Sequence, residues 1–197
     1  MFHAVVDLLF PAQCAACRAI GTGLCVRCVV PNEPPLVRVL PSLRVYGLGE
    51  YRGALRAAVL ALKDGRRDVA SALGERLASL ARAPMTLVPV RTTAPRRRVR
   101  GVDGVEYVAK TAAWRSGARL LPVLEPLGGD AQRGRNREQR VAARRRFGCH
   151  EHSVYGLDVT LVDDVCTTGT TLEDCAETLR AAGASVSQAL VIAVAND

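Results

Sequence analysis

The sequence predicts an α/β fold, a parallel sheet flanked by helices, with a small four-cysteine module at its N-terminal end. Three observations predict it. Short apolar runs alternate with stretches of helical period from residue 52 onward, the pattern of a parallel sheet covered on both faces. Two Cys-x-x-Cys pairs stand close together near the start. The segment "LVDDVCTTGTT", Leu161 to Thr171, runs from an apolar strand through two adjacent aspartates into a small hydroxyl-rich loop. A chain of 197 residues is long enough for one domain with a full core plus a small module.

The opening "MFHAVVDLLFP" is apolar, lacks a basic leader and contains Asp7, so it reads as a packed helix and not as a signal peptide. No apolar run approaches the ~20 residues of a membrane span, and a cytoplasmic location is the default expectation. Cys14 and Cys17 form the first Cys-x-x-Cys, Cys25 and Cys28 the second, with seven residues between the pairs. Each pair sets two thiolates on one tight knuckle, and two knuckles close a tetrahedral four-thiolate shell suited to structural Zn²⁺. A reducing compartment disfavours disulfides, and a redox pair needs no duplicate. Gly21 and Gly23 let the intervening turn fold back. The expected boundaries are a zinc module over 1–35 and a larger domain over 36–197, with the four prolines between Pro31 and Pro41 marking a linker.

Further along, "LRVYGLGEY" suggests a short hairpin. "RGALRAAVLALKDG" reads as a helix with Leu55, Val59 and Leu62 on one face and Gly65 as its stop. "DVASALGERLASLARA" is a second helix with Asp68 as its expected N-cap. "MTLVPV" is a buried strand, and "GVEYVAKTAAWRSG" a helix with Val105, Val108 and Ala112 inward. Trp114 falls off that face and is expected to pack against a neighbouring element. "ARLLPVL" is the next strand, followed by a polar segment from Glu125 to Arg146. "LDVTLVDD" is a strand, "TLEDCAETLRAA" a helix ended by Gly183, and "SVSQALVIAVA" the last strand. Cys149-His150-Glu151-His152 reads as a polar turn in preference to a second metal site.

Hydrophobic content of 49% and a mean hydropathy of +0.10 describe a globular chain. Its net charge of +8 is concentrated. From Arg91 to Arg146, fourteen Arg and one Lys stand against three Glu and two Asp, while the rest of the chain is slightly acidic. Such a stretch is either an anion-binding patch, for nucleic acid, pyrophosphate or a phosphorylated metabolite, or a solvated arginine-rich surface.

Asp163 and Asp164 stand at the carboxyl end of a strand, where α/β sheets bind ligands. Val165, Cys166, Thr167, Thr168, Gly169, Thr170 and Thr171 then turn into a helix expected to begin near Thr171 or Leu172. A helix N-terminus offers N–H groups and a positive dipole end to an anion. There is no G-K-[ST] and no G-x-G-x-x-G. An acidic pair ahead of a phosphate loop suits a sugar phosphate, with carboxylates on ribose hydroxyls, directly or through Mg²⁺, and the loop on the 5′-phosphate.

"VTLVDDVCTTGTTL" resembles the 5-phosphoribosyl-1-pyrophosphate (PRPP) motif of type I phosphoribosyltransferases. The rest resembles the ComF competence-protein family: "DLLFPAQCAACRAIGTGLCVRC" is similar to its zinc-binding start, "YRGALRAAVLALKDGRRDVASALGERLA" to its following helices, "LVPVRTTAPRRRVRGVDGVEYVAK" to its Pro-rich strand end and R-G-F-N-Q segment, and "AQRGRNREQRVAARRRF" to its Gln/Arg-rich loop. Two departures stand out. Val102, Asp103 and Gly104 replace Phe-Asn-Gln, and Ala143 stands where the family has Asn.

The resemblance implies a type I phosphoribosyltransferase-like fold with an N-terminal zinc ribbon, binding PRPP and Mg²⁺ in the cytoplasm. It implies that Asp163 and Asp164 serve ribose and metal, that Val165 to Thr171 hold the 5′-phosphate, and that Arg91 meets pyrophosphate. Arginines among Arg133, Arg135, Arg137 and Arg140 would close over the site. Pentosyl transfer from PRPP would depend on electrostatic placement, with little covalent chemistry from the protein. The family name also implies DNA uptake, with single-stranded DNA or competence-machinery proteins as partners and Arg96, Arg97 and Arg98 on the DNA. The alternatives are a PRPP sensor without turnover and a binding module on the same fold. The sequence names no acceptor.

Overall fold

Period-2 burial organises the sheet. The computed structural model describes residues 11–29, 31, 33–91, 103–127, 146–149 and 154–195. Among them the strands are β1 (Leu36–Val39), β2 (Arg44–Gly47), β3 (Thr86–Pro89), β4 (Arg119–Leu120), β5 (Leu124–Pro126), β6 (Phe147–Cys149), β7 (Asp158–Cys166) and β8 (Ser185–Val194). The helices are α1 (Gly53–Lys63), α2 (Arg67–Leu77), α3 (Gly104–Ser116) and α4 (Thr170–Ala181). A six-stranded sheet has the order β1-β2-β8-β7-β3-β4, parallel throughout except for the β1–β2 hairpin. β5 and β6 form a separate antiparallel pair.

Along β7, Val159 and Leu161 pack in one core with Leu172, Cys175 and Leu179 of α4. Val162, next along the strand and on the opposite face, packs in the other, with Val59 and Leu62 of α1, Leu73 of α2 and Val108 of α3. β8 divides the same way, Ala189 and Val191 to one side, Leu190 and Ile192 to the other. Both faces of the sheet are thus covered, and each fully buried Leu or Val contributes about 1.5–3 kcal/mol. The α/β class with a mostly parallel sheet is as the sequence predicts.

Several local expectations change. The proline-rich stretch holds β1, whose partner across the hairpin is β2, so the hairpin begins earlier than "LRVYGLGEY" suggests. Asp68 lies in the first turn of α2 instead of at its cap, because it pairs with the guanidinium of Arg66, the cap residue (2.5 Å). α2 stops at Leu77. "ARLLPVL" divides into β4 and β5 in different sheets, since β3 has only Thr86 and Leu87 to pair with β4. Trp114 does not pack inward. It lies two residues, about 200° around a helix, beyond buried Ala112, and is 74% exposed with the Arg115 guanidinium 4.7 Å from its ring centre. Residues 1–10, Arg96 to Arg98, Arg133 to Arg140 and His150 to His152 lie outside the described residues.

The cysteine knuckles are fastened to α2. The guanidinium of Arg76 donates to the backbone oxygens of Val29 (3.0 Å) and Leu24 (3.0 Å), and Arg66 donates to that of Gln13 (2.7 Å). Leu24, Val29 and Cys14 are buried in the core shared with α1 to α3.

Candidate functional site

The four N-terminal cysteines converge as their spacing requires. The sulfurs of Cys14, Cys17, Cys25 and Cys28 all lie within 4.8 Å of one another, and none is in a disulfide. A zinc tetrahedron with ~2.3 Å bonds has sulfur–sulfur edges of about 3.8 Å; Cys17 and Cys25 stand 3.7 Å apart. Burial raises the Cys14 thiol, yet backbone N–H groups of Cys17, Cys25 and Ala16 outweigh it and bring it down to about 6. Hydrogen bonding with the sulfurs of Cys17 and Cys25 pushes Cys28 up to about 12. Four sulfurs this close share protons when no cation compensates them, and the donor set suits one closed zinc shell.

A second site follows from the sheet order. β3 leads through α3 to β4 on one side, and β7 leads through α4 to β8 on the other. The chain therefore departs in opposite directions from the adjacent strands β3 and β7, which makes their carboxyl ends a topological switch point. A cleft of about 640 Å³ opens there, lined by Val90 and Arg91 after β3 and by Asp163, Asp164 and Val165 of β7. Thr171 of α4, Lys63 of α1, Asp103, and Arg146 beside β6 complete its polar wall.

Asp163 is 9% exposed, and its Oδ1 accepts from the Asp164 N–H (2.8 Å). Burial first, then the neighbouring Asp164 carboxylate, raises the Asp163 carboxyl well above its ordinary range, against partial relief from Lys63. Asp164 is more open. Its Oδ1 accepts from the Val165 N–H (2.7 Å), and its Oδ2 faces the Lys63 ammonium at 3.2 Å.

The loop after the pair ends in α4 one residue earlier than expected, at Thr170, with Gly169 as the N-cap residue. Gly169 has no side chain to cap that N-terminus, and the Thr170 N–H donates to the Thr168 hydroxyl at 3.4 Å. The hydroxyls of Thr168 and Thr170 lie 2.9 Å apart, and Thr167, Thr168 and Thr170 are exposed. Cys166 turns inward, where burial raises its thiol, so only its backbone belongs to the loop surface. Gly169 is required for a reason the sequence did not suggest. Its φ is +83°, and a Cβ there would lie 2.5–2.6 Å from the Leu40 methyls, so it makes room for the β1–β2 turn as well as for any ligand.

Arg91 lines the cleft but is already held by acids. Its Nη1 bonds the Glu125 carboxylate, and its Nε lies 3.0 Å from Glu106 Oε2. That ion pair is off the N–H direction, leaving the buried Nε without a hydrogen-bond acceptor. Arg146 is likewise tied, by Nε to Asp174 of α4 (2.7 Å). Among the described residues, each of the three cleft cations therefore has a carboxylate partner at rest.

Lys63, Asp103 and Arg146 were not singled out for this site from the sequence. Asp103 had a legible signal: Asp103-x-x-Glu106 is a capping-box pattern, and its carboxylate accepts from the Glu106 N–H (3.2 Å). It stands where the resemblance has Asn, and either residue caps a helix. Gly104 stands where the resemblance has Gln, and a Cβ there would meet Leu62 at 2.9 Å. Lys63 stands with Gly65 in a Lys-x-Gly segment that is similar to one of the ComF family, but nothing in the sequence assigned it to this cleft.

No family model and no curated protein matches the chain. Among solved structures it is similar to "the allosteric regulatory enzyme of purine biosynthesis", at 23% identity over 62% of this chain and 26% of that one, with a TM-score of 0.48. It is also similar to the glutamine PRPP amidotransferase from B. subtilis complexed with ADP and GMP, at 23% identity, the same coverage and a TM-score of 0.46. The chain spans about a quarter of the length of either protein, and neither likeness assigns it an activity.

Proposed function

We propose that the cleft binds PRPP with Mg²⁺ and that the chain is a phosphoribosyltransferase-type protein with a zinc-ribbon start over 1–35. The observation that carries this reading is one juxtaposition: an acidic pair at the carboxyl end of β7, followed directly by a helix N-terminus whose cap residue is a glycine, at the switch point of a mostly parallel sheet. A ligand with hydroxyls at one end and phosphate at the other matches it. The loop from Val165 to Thr171 takes the 5′-phosphate on N–H and hydroxyl donors. Asp163 and Asp164 face the ribose hydroxyls, and Arg91 stands on the pyrophosphate side.

The Asp pair offers only oxygen donors, as Mg²⁺ prefers, and Mg²⁺ is held by one or two carboxylates together with ligand phosphates. Bound there, it would neutralise charge on the ligand and the pair. In a transfer reaction the ribose C1–oxygen bond breaks, pyrophosphate leaves with the electron pair, and an acceptor forms the new bond to C1. This chain's residues orient the sugar by both ends and place cations at the leaving group. A role in DNA uptake, and a cytoplasmic setting, rest on the ComF resemblance.

Calorimetry with PRPP and Mg²⁺ tests the reading. Wild type binds; the double variant Asp163→Asn, Asp164→Asn binds about ten- to a hundredfold more weakly, the cost of charge-assisted hydrogen bonds. No PRPP binding at millimolar ligand, or an unaffected double variant, would overturn it. Pyrophosphate release against a panel of acceptors then separates transferase from sensor.

A further inference from the structure

The acidic pair has one partner that a ligand can exchange. Asp163 Oδ1 is held by the Asp164 N–H and Asp164 Oδ1 by the Val165 N–H, both bonds of the chain to itself that keep the strand end in shape. The remaining contact, Asp164 Oδ2 with the Lys63 ammonium at 3.2 Å, joins two side chains from different elements across the cleft wall. Lys63 is the last residue of α1, and its side chain is 39% exposed, so it has both a fixed root and room to move.

The other cleft cations differ. Arg91 is held by two glutamates with its side chain only 18% exposed. Arg146 is tied to Asp174, outside the acidic pair. Lys63 alone among the described cleft cations sits on the carboxylates that the proposed ligand must reach. A lysine ammonium is a compact point charge on a flexible stem, able to leave one anion for another without the bidentate geometry an arginine would lose.

The geometry points to Lys63 as the resting counter-ion of the acidic pair, displaced from Asp164 when a divalent cation and ribose hydroxyls arrive and transferred to a phosphate oxygen of the same ligand. This rests on the PRPP reading of the cleft. It makes Lys63 a positioning and selectivity residue: it disfavours a bare divalent cation, which must evict it uncompensated, and favours a cation arriving with phosphate, which gives the ammonium a new partner.

The test compares wild type, Lys63→Met and Lys63→Arg with two probes. The first is Mn²⁺ alone, which takes the same oxygen ligands as Mg²⁺ and is followed by electron paramagnetic resonance. The second is PRPP at saturating Mg²⁺, followed by calorimetry. Lys63→Met should bind Mn²⁺ about tenfold more tightly than wild type and PRPP about tenfold more weakly. Lys63→Arg, which keeps the charge, should exclude Mn²⁺ as wild type does, an outcome that a purely structural role would not produce. Unchanged Mn²⁺ affinity in Lys63→Met, or tightened Mn²⁺ binding in both variants, overturns the counter-ion role. Tightened Mn²⁺ binding with PRPP affinity kept overturns the transfer to phosphate. If wild type binds no PRPP, the ligand reading and the transfer fall together, while the Mn²⁺ comparison still decides whether Lys63 neutralises the pair.

Discussion

Gly169→Ala adds a single methyl group at the centre of the candidate phosphate loop, and its cost can be worked from two separate features. The backbone φ of +83° lies in the left-handed region, where a side chain costs about 1–2 kcal/mol. The new Cβ would also lie 2.5 and 2.6 Å from the two methyls of Leu40 and 3.1 Å from its Cγ. Overpacking of this kind costs about 1–3 kcal/mol. The sum is about 2–5 kcal/mol, or roughly 2–4 °C of Tm per kcal/mol in a chain of this size. Leu40→Ala alone should cost about 2–5 kcal/mol, because Leu40 is buried in the core with Leu43 and Leu172. In the double variant the overlap vanishes while the backbone strain stays. Urea denaturation of the four proteins should therefore give a coupling of about 1–3 kcal/mol, favouring the double variant over the sum of the singles. Additivity within about 0.5 kcal/mol would refute the claim that Gly169 is required by Leu40. The result also governs any ligand experiment, since weakened phosphate binding by Gly169 variants would then report a displaced loop as well as a blocked approach.

Two further outcomes follow from the charged and metal-binding groups. Asp163 has its folded pKa raised above the unfolded ~3.9, so its protonated form favours the fold. Its contribution is fully present below the unfolded pKa and is lost as pH rises through the folded one. The urea midpoint of ligand-free wild type should accordingly fall over that rise relative to Asp163→Asn, and parallel profiles for the two would remove Asp163 as the cause. For the cysteine cluster, elemental analysis should find one zinc per chain, with Cys28→Ser lowering both zinc content and Tm. Metal-free protein whose four thiols alkylate rapidly would contradict a zinc site.

Hydrophobic period and turn residues were enough to place most elements. β7, α4 and β8 are long, their apolar positions alternate or recur cleanly, and the helix ends at a glycine with positive φ. The failures have physical causes. β1 exists because β2 offers it an edge, and its half-buried, half-exposed alternation lies among prolines that read as a linker. "ARLLPVL" is one apolar run, but β3 can pair with only two residues of it. The acidic pair and the candidate phosphate loop were legible because their residues are contiguous. Lys63, Asp103 and Arg146 reach the same cleft from three other elements, and no local pattern records such a convergence. The requirement for Gly169 was visible, but its structural reason was not, since Leu40 is far away in sequence.

Arg91, Asp103, Leu127 and Arg146 all line the cleft. Within that cleft, Lys63, Arg91 and Arg146 are each neutralised by a carboxylate at rest. A polyanion that engages these described cations exchanges existing ion pairs. Its binding free energy is then a difference between two sets of ion pairs, small for a lone phosphate and larger for a ligand that engages the loop, the acidic pair and the arginine side together. On the proposed reading, a ligand with anionic groups at both ends should bind more tightly than inorganic phosphate or pyrophosphate alone.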